Sequence, residues 1–479
     1  MVLPQGWELT PLSYVASVQS GIGFPIHYQG EKFGDIGFFK VGDISRAVAK
    51  FGGQLKEAQH CVSYEVASEL KGKPIPIGAT VFAKIGEAIR LNRRAFVVSE
   101  CLIDNNVMAV KAFEPCSDLF LFRFMQTQDI SELARSTTVP SLRKGDIEGL
   151  MIPLAPLNEQ KRIADKLDAV LARVDACRDR LDRVPAILKR FRQSVLAAAT
   201  SGKLTEEWRE QNPQPSGLAK EEVFARLKLR RENQQEGKKF KEPGSTDMTY
   251  WDTEIPPSWS VESVSAYAEC LDHLRIPVTR EKRSNTKGLY PYYGANGPVD
   301  MVDEYLFDEE LVLVTEDETF YGREKPIAYR TSGRCWVNNH AHVLRTGDRA
   351  RADYLCFCLM YYRVLPWLTG TTGRAKLTQG VLNSLPIAVP PQKEQTEIVR
   401  RVESLFAYAD RLEARYANAR TQTERLTPAL LAKAFRGELV PQDPNDEPAS
   451  ELLERIRADR VTNATKSHAR KSKAKENVI

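Results

Sequence analysis

Pro156-Leu157-Asn158-Glu159-Gln160-Lys161-Arg162-Ile163-Ala164 opens a stretch that the chain writes a second time, as Pro391-Gln392-Lys393-Glu394-Gln395-Thr396-Glu397-Ile398-Val399. Residues 156–204 and 391–439 align without a gap at an offset of 235. Asp175, Ala197, Ala199, Gly202 and Leu204 recur as Asp410, Ala432, Ala434, Gly437 and Leu439. So many identities in one ungapped register mark a duplication. It extends outward: LPQGWELTPL at 3–12 resembles IPPSWSVESV at 255–264, and residues 222–228 are echoed by 451–457. The order is a divergent domain, a long shared segment and a short helix, then the same again.

The shared segments have a period. Ile163, Leu167, Val170, Val174, Leu181 and Leu188 in the first, and Ile398, Val402, Leu405, Leu412, Leu426 and Leu430 in the second, fall on alternating four-three spacings. That spacing is a coiled-coil seam, with charged residues filling many other positions. At 1.5 Å per residue, about 40 residues make a rod of roughly 60 Å. Each rod is too polar outside to stand alone, and the nearest partner is the other copy. Pro185 and Pro428 predict a kink or break in each rod, and Gly202 and Gly437 predict their ends.

Ahead of each rod, short β-rich runs such as IGFFKVGDI and ATVFAKIG in the first half, and LVLVTED and WVNNHAHVLR in the second, alternate with Gly, Asn and Asp turns. The fold class that follows is α+β: two α/β end domains separated by two long antiparallel coiled-coil helices, in a pseudo-two-fold repeat. The boundaries read as 1–156 and 255–391 for the end domains and 157–204 and 392–439 for the rods. Residues 205–254 form a linker with a short helix, and 440–479 a C-terminal short helix and basic tail. The tail's KSHARKSKAK at 466–475 is too polar to pack and predicts disorder.

The loops of the end domains are rich in groups that suit DNA. The first offers Lys84, Arg90, Arg93, Arg94, Arg143 and Lys144. The second offers Tyr292, Asn296, Arg323, Asn338, Asn339, Arg374, Lys376 and Gln379. Arg and Lys bridge guanine or neutralise phosphate, while Asn and Gln fit adenine N6 and N7.

Composition excludes several classes. The net charge of +5 over 479 residues is only mildly basic, and the eight cysteines form no CxxC pair, so reduced thiols and no zinc site are expected. His340 and His342 bring no ligand set with them, and no metal is expected. No signal peptide is expected from MVLPQGWELT, and no apolar run approaches the roughly 20 residues of a membrane span, so the reading is a cytoplasmic protein. Asn212-Pro213-Gln214-Pro215 lacks the second proline and the aromatic of an amino-methyltransferase loop, and no phosphate-binding lysine loop occurs. The acidic run Glu316-Asp317-Glu318 reads as a solvated turn. No catalytic residue is therefore assigned, and no cofactor is expected on this chain.

The segment from Pro156 to Asp168 is similar to the shared regions of type I restriction-modification specificity subunits. So are Tyr292-Tyr293-Gly294-Ala295-Asn296-Gly297 and Leu430 to Leu439 (LLAKAFRGEL). The resemblance covers nearly the whole chain. It implies that each divergent domain is a target recognition domain reading one half of a gapped target in double-stranded DNA. It implies too that the helices bind two modification (methyltransferase) subunits carrying S-adenosylmethionine, and that restriction subunits supply ATP- and Mg-dependent translocation and cleavage. No membrane partner is implied. The alternative reading is a coiled-coil scaffold whose end domains bind protein.

Overall fold

The computed structural model describes residues 3–135, 139–233, 240–279, 288–317, 320–369 and 375–476. The chain divides into two compact units: Met1–Leu181 with Asn418–Ile479, and Asp182–Ala417. The division falls inside both shared segments.

The first unit begins and ends its α/β domain with an antiparallel pair, Glu8–Pro11 against Met151–Leu154. This pairing brings the chain entry beside the start of the helix. Between them lies a five-stranded sheet in the order Ala16–Ser20, Val107–Ala112, Thr80–Ala83, Ala95–Val97, Gln54–Leu55. A three-stranded sheet sets Ile36–Phe39 between His60–Val62 and Cys101–Ile103, the last pairing being parallel. Thr80–Ala83 is buried at every position, as a strand covered on both faces must be. The helix Asp118–Thr127 lays Phe120, Leu121, Phe124 and Met125 into the same core.

The second unit repeats this plan. Ser260–Ser263 pairs antiparallel with Pro386–Val389. One sheet runs Glu269–Cys270, Ala341–Arg345, Leu311–Thr315, Ala328–Thr331, with Leu311–Thr315 buried throughout. The other sets Tyr290–Gly294 parallel to Arg334–Val337, flanked by Gly297–Val302 and Phe307–Asp308. The helix Arg349–Leu359, capped by Asp348 accepting the Arg351 N–H, takes the place of Asp118–Thr127.

The repeated Glu-Gln pair is a buried joint between each domain and its helix. In the first unit the Trp7 indole N–H donates to Glu159 (3.0 Å) and the Gln160 amide donates to the Ala155 carbonyl (2.8 Å). In the second, Trp259 donates to Glu394 (2.8 Å) and Gln395 to the Pro390 carbonyl (2.7 Å). The large majority of buried polar groups are bonded, so the motif is fixed by the joint it makes.

The first shared segment is two helices, Leu157–Leu181 and Val184–Thr200. The break precedes Pro185, which sits in the first turn of the second helix, where a missing N–H costs nothing. The second segment is one helix, Gln392–Ala434, running through Pro428. Of the kink or break expected there, no break occurs. Residues 424–426, 428 and 429 are exposed, so water can serve the carbonyl that the proline leaves free. Within the second unit the two shared segments run antiparallel: Arg192 bonds Asp410 and Glu413, Arg401 bonds the Leu204 carbonyl, and Thr205 bonds Glu394.

Of the seam residues, Ile163, Leu167, Val174, Leu188, Ile398 and Val402 are buried, while Val170, Leu181, Leu405, Leu412 and Leu430 are half-buried. Leu426 is 46% exposed and does not belong to the seam; Leu171 and Leu431 are buried instead. A straight helix drifts about 20° per heptad against a seven-residue repeat, enough to move the apolar face by one position over several heptads. The terminal helix Ala449–Glu476 carries through residues 466–475, where composition predicts disorder. Lys, Arg and Ala are strong helix formers, and their propensity prevails.

Candidate nucleic-acid interface

In each unit the loops gather at one end of the fully buried strand. After Thr80–Ala83, the Lys84 N–H donates to the Asn106 carbonyl (2.7 Å), and the Lys84 carbonyl accepts the Leu142 N–H (2.9 Å). After Leu311–Thr315, the Glu316 N–H donates to the His340 carbonyl (3.0 Å), and the Glu316 carbonyl accepts the Leu377 N–H (2.9 Å). Ile85 bridges Ser141, which bridges Arg135; Asp317 bridges Lys376, which bridges Thr369. The two ends are therefore the same construction, although their side chains differ almost completely.

The hairpin turns are equivalent as well. The Asp104 carboxylate accepts the Asn106 N–H (2.7 Å), and the Asn338 amide oxygen accepts the His340 N–H (2.8 Å). The Asp104 N–H reaches the Phe39 carbonyl (2.9 Å), and the Asn338 N–H the Tyr293 carbonyl (3.0 Å). Asn105 and Asn339 stand exposed at the two tips.

Most sequence candidates lie on these ends, but not all are accessible. In the first unit Arg90, Arg143 and Lys144 are exposed, and Lys84 and Arg93 half-buried. Arg90 lies 3.5 Å from Glu87, and Lys144 3.4 Å from Glu148. Arg94 is 3% exposed. It donates to the Gln128 carbonyl, the Asn92 side chain and the Arg93 carbonyl and lies over the Phe82 ring. Burial lowers its guanidinium to about 10. Arg94 is a structural arginine.

In the second unit Asn296 is exposed and Arg323 half-buried, the latter donating to the Asn296 side chain (2.6 Å). Lys376 and Asn339 are exposed, and Gln379 donates to the Cys270 sulfur (3.2 Å). Tyr292 and Asn338 are buried. Tyr292 turns inward, its hydroxyl accepting the Val278 N–H (3.1 Å), and Asn338 is committed to its turn. Both are corrections to the sequence assignment. Arg374 lies outside the described residues.

The structure adds a cluster that the sequence did not. Both ring nitrogens of buried His342 face acceptors, Asp272 at 2.5 Å and the Leu377 carbonyl at 2.7 Å. Arg275 donates to Glu316 (2.7 Å) and to the Ala341 (2.9 Å) and Asn339 (3.4 Å) carbonyls, and lies 3.3 Å from Asp272. Burial pushes the Asp272 carboxyl up, but His342, the Val343 N–H and Arg275 outweigh it and hold it below the usual range. Asp272, Glu316 and His342 place their ligand atoms within 4.8 Å of one another, and the Arg275 guanidinium already bonds both carboxylates. Asp317 bonds His340 (2.7 Å) and lies 3.7 Å from Lys376. Glu316 and Asp317 are thus ion-paired parts of the loop end and not a solvated turn; Glu318 lies outside the described residues. What the ends present is exposed amides and cations, chemistry suited to reading a polyanion.

All eight cysteines are free thiols, and no described helix is long and apolar enough to cross a membrane.

The sequence profile of the type I restriction modification DNA specificity domain matches residues 6–185 and 274–419. The chain is 32% identical over 364 residues to the EcoDI specificity subunit of an Escherichia coli type I restriction enzyme, across 71% of this chain and 76% of the relative. It is 31% identical over 369 residues to the StySPI specificity subunit of Salmonella potsdam, across 71% of each. The crystal structure of the HsdS subunit from Thermoanaerobacter tengcongensis matches with a TM-score of 0.53 at 19% identity, over 91% of this chain and 98% of that one. That last likeness is one of fold.

Proposed function

Because this chain belongs to the type I restriction-modification DNA specificity family, we propose that it selects the DNA target of a restriction-modification complex. Each α/β domain reads one half of a bipartite, gapped site in double-stranded DNA. The long helices set the gap and dock two modification subunits, and restriction subunits join that assembly. The chain contributes recognition and no bond chemistry; S-adenosylmethionine, ATP and Mg belong to its partners, and the complex works in the cytoplasm.

The observation that carries this reading is the pair of equivalent loop ends, one per unit, built on the same backbone plan with different side chains. Two readers of one design with separate sequences are what a bipartite, asymmetric target requires. Tethering also relieves each of the need for tight binding alone. The test is to purify the chain with its modification subunits and map methylated adenines after incubation with genomic DNA and S-adenosylmethionine. Methylation at a single gapped motif, with affinity falling log-linearly with salt, is expected. Protein partners bound at both domains with no DNA affinity would favour the scaffold alternative.

A further inference from the structure

Resting on that reading, we propose that Asn105 and Asn339 are equivalent base-reading residues, one for each half of the target. Each sits at the exposed tip of a hairpin turn whose first residue, Asp104 or Asn338, does the turn's work by accepting the N–H two residues on. The middle position asks nothing of its side chain. Among the described residues the only non-glycine positions with positive φ are Lys71 and Asn92, so neither tip needs asparagine for a left-handed backbone. No hydrogen bond joins either tip amide to another described residue. An asparagine nevertheless recurs at the same point of two domains that share few other loop residues.

The surroundings fit a base contact. Lys84, whose backbone bonds the first turn, and Lys376, on the loop bridged to Asp317 next to the second, put cations on the same loop ends for phosphates. The carboxamide sets an N–H donor beside a carbonyl acceptor, the pattern that pairs with adenine N7 and N6 in the major groove. Both turns are held before any ligand arrives, through the Asp104 or Asn338 side chain and the groups packed beneath it, so little ordering remains to oppose the contact. Arg275 reinforces the second turn through the Asn339 carbonyl. Each tip is assigned to an A·T pair.

The test uses the full chain assembled with its modification subunits, comparing methylation maps of the parent, Asn105→Ala, Asn339→Ala and Asn339→Asp. Asn339→Ala should relax one A·T position in one half-site, lowering discrimination there by about 5- to 150-fold, and leave the other half intact. Asn105→Ala should do the same in the opposite half. Asn339→Asp keeps shape and turn but loses the donor, so preference at that position should move toward cytosine, an outcome that mere loosening of the fold would not give. Unchanged maps for the variants, relaxation at a G·C pair, or relaxation of both halves by one variant would overturn the assignment. A parent complex that methylates no gapped motif would instead overturn the family-level function on which it rests.

Discussion

The turn at residues 104–106 and the turn at 338–340 occupy the same place in two domains, but different forces hold them. In the first unit a neighbouring backbone does it: the Gly21 N–H donates to the Val107 carbonyl (3.1 Å) and the Ile22 N–H to the Ile103 carbonyl (3.0 Å). A Cβ on Gly21 would lie 2.1 Å from the Asp104 oxygen. In the second unit the Leu271 N–H still reaches the Val343 carbonyl (2.8 Å), but from there Asp272, Arg275, His342 and Glu316 take over. One turn is clamped by close backbone contact and its counterpart by buried charge. A fold can keep its geometry while exchanging the physics beneath it, and the two versions should fail in different ways.

Gly21→Ala should break the first clamp most severely. The methyl group meets backbone, which cannot step aside as a flexible side chain would, and overpacking of this kind costs about 3 kcal/mol. Hydrogen exchange should show faster opening of residues 101–112 and unchanged protection of 334–345. Equal loss in both segments would mean that the turns are not independently held. Arg275→Ala is the converse. It takes from Asp272 and Glu316 the guanidinium they share, leaving Asp272 only His342 and the Val343 N–H, which for a largely buried group costs about 3 kcal/mol. Residues 334–345 should now exchange faster while 101–112 are spared.

The shared helices were legible in the sequence because the Glu-Gln joint needs those side chains: Trp7 and Trp259 bond Glu159 and Glu394, so identity survived. The equivalence of the two loop ends was not legible, because it lives in backbone bonds such as Lys84 to Asn106 and Glu316 to His340, which any residue can make. Asn105 was missed for that reason. Nothing in the run from Arg90 to Arg94 tells which arginine faces inward; only the fold shows Arg94 spanning Gln128 and Phe82. A seven-residue period places Leu426 inside the seam, although the helix turns it out.

The joint itself offers a second comparison of the same kind. Glu394 is bonded by Trp259, Thr205 and Arg209, the last at 2.6 Å. Glu159 has Trp7, and its Oε1 has no hydrogen-bond partner among the described residues. The residues following the second helix, 440–448, are VPQDPNDEP and supply no counterpart of Arg209. Glu394→Gln should therefore strand Arg209 and cost about 2 kcal/mol, visible as a lower urea midpoint.

Glu159→Gln should do far less, changing stability at neutral pH by under about 1 kcal/mol, because it exchanges one imperfectly bonded polar group for another. Its signature is in the pH dependence. Burial raises the Glu159 carboxyl above its ordinary 4.5, opposed only in part by the Trp7 N–H and the Arg162 charge. The folded chain thus binds this proton more tightly than the unfolded chain does. Stability falls as pH rises from the unfolded value through the raised folded one, and the loss is complete above it. A carboxamide at this position has no proton to give up, so the variant should be flatter than the parent across that window, with the parent gaining on it toward acid. Parallel stability curves for parent and variant would show that the Glu159 carboxyl is as well satisfied in the fold as in water, and the contrast between the two joints would be lost.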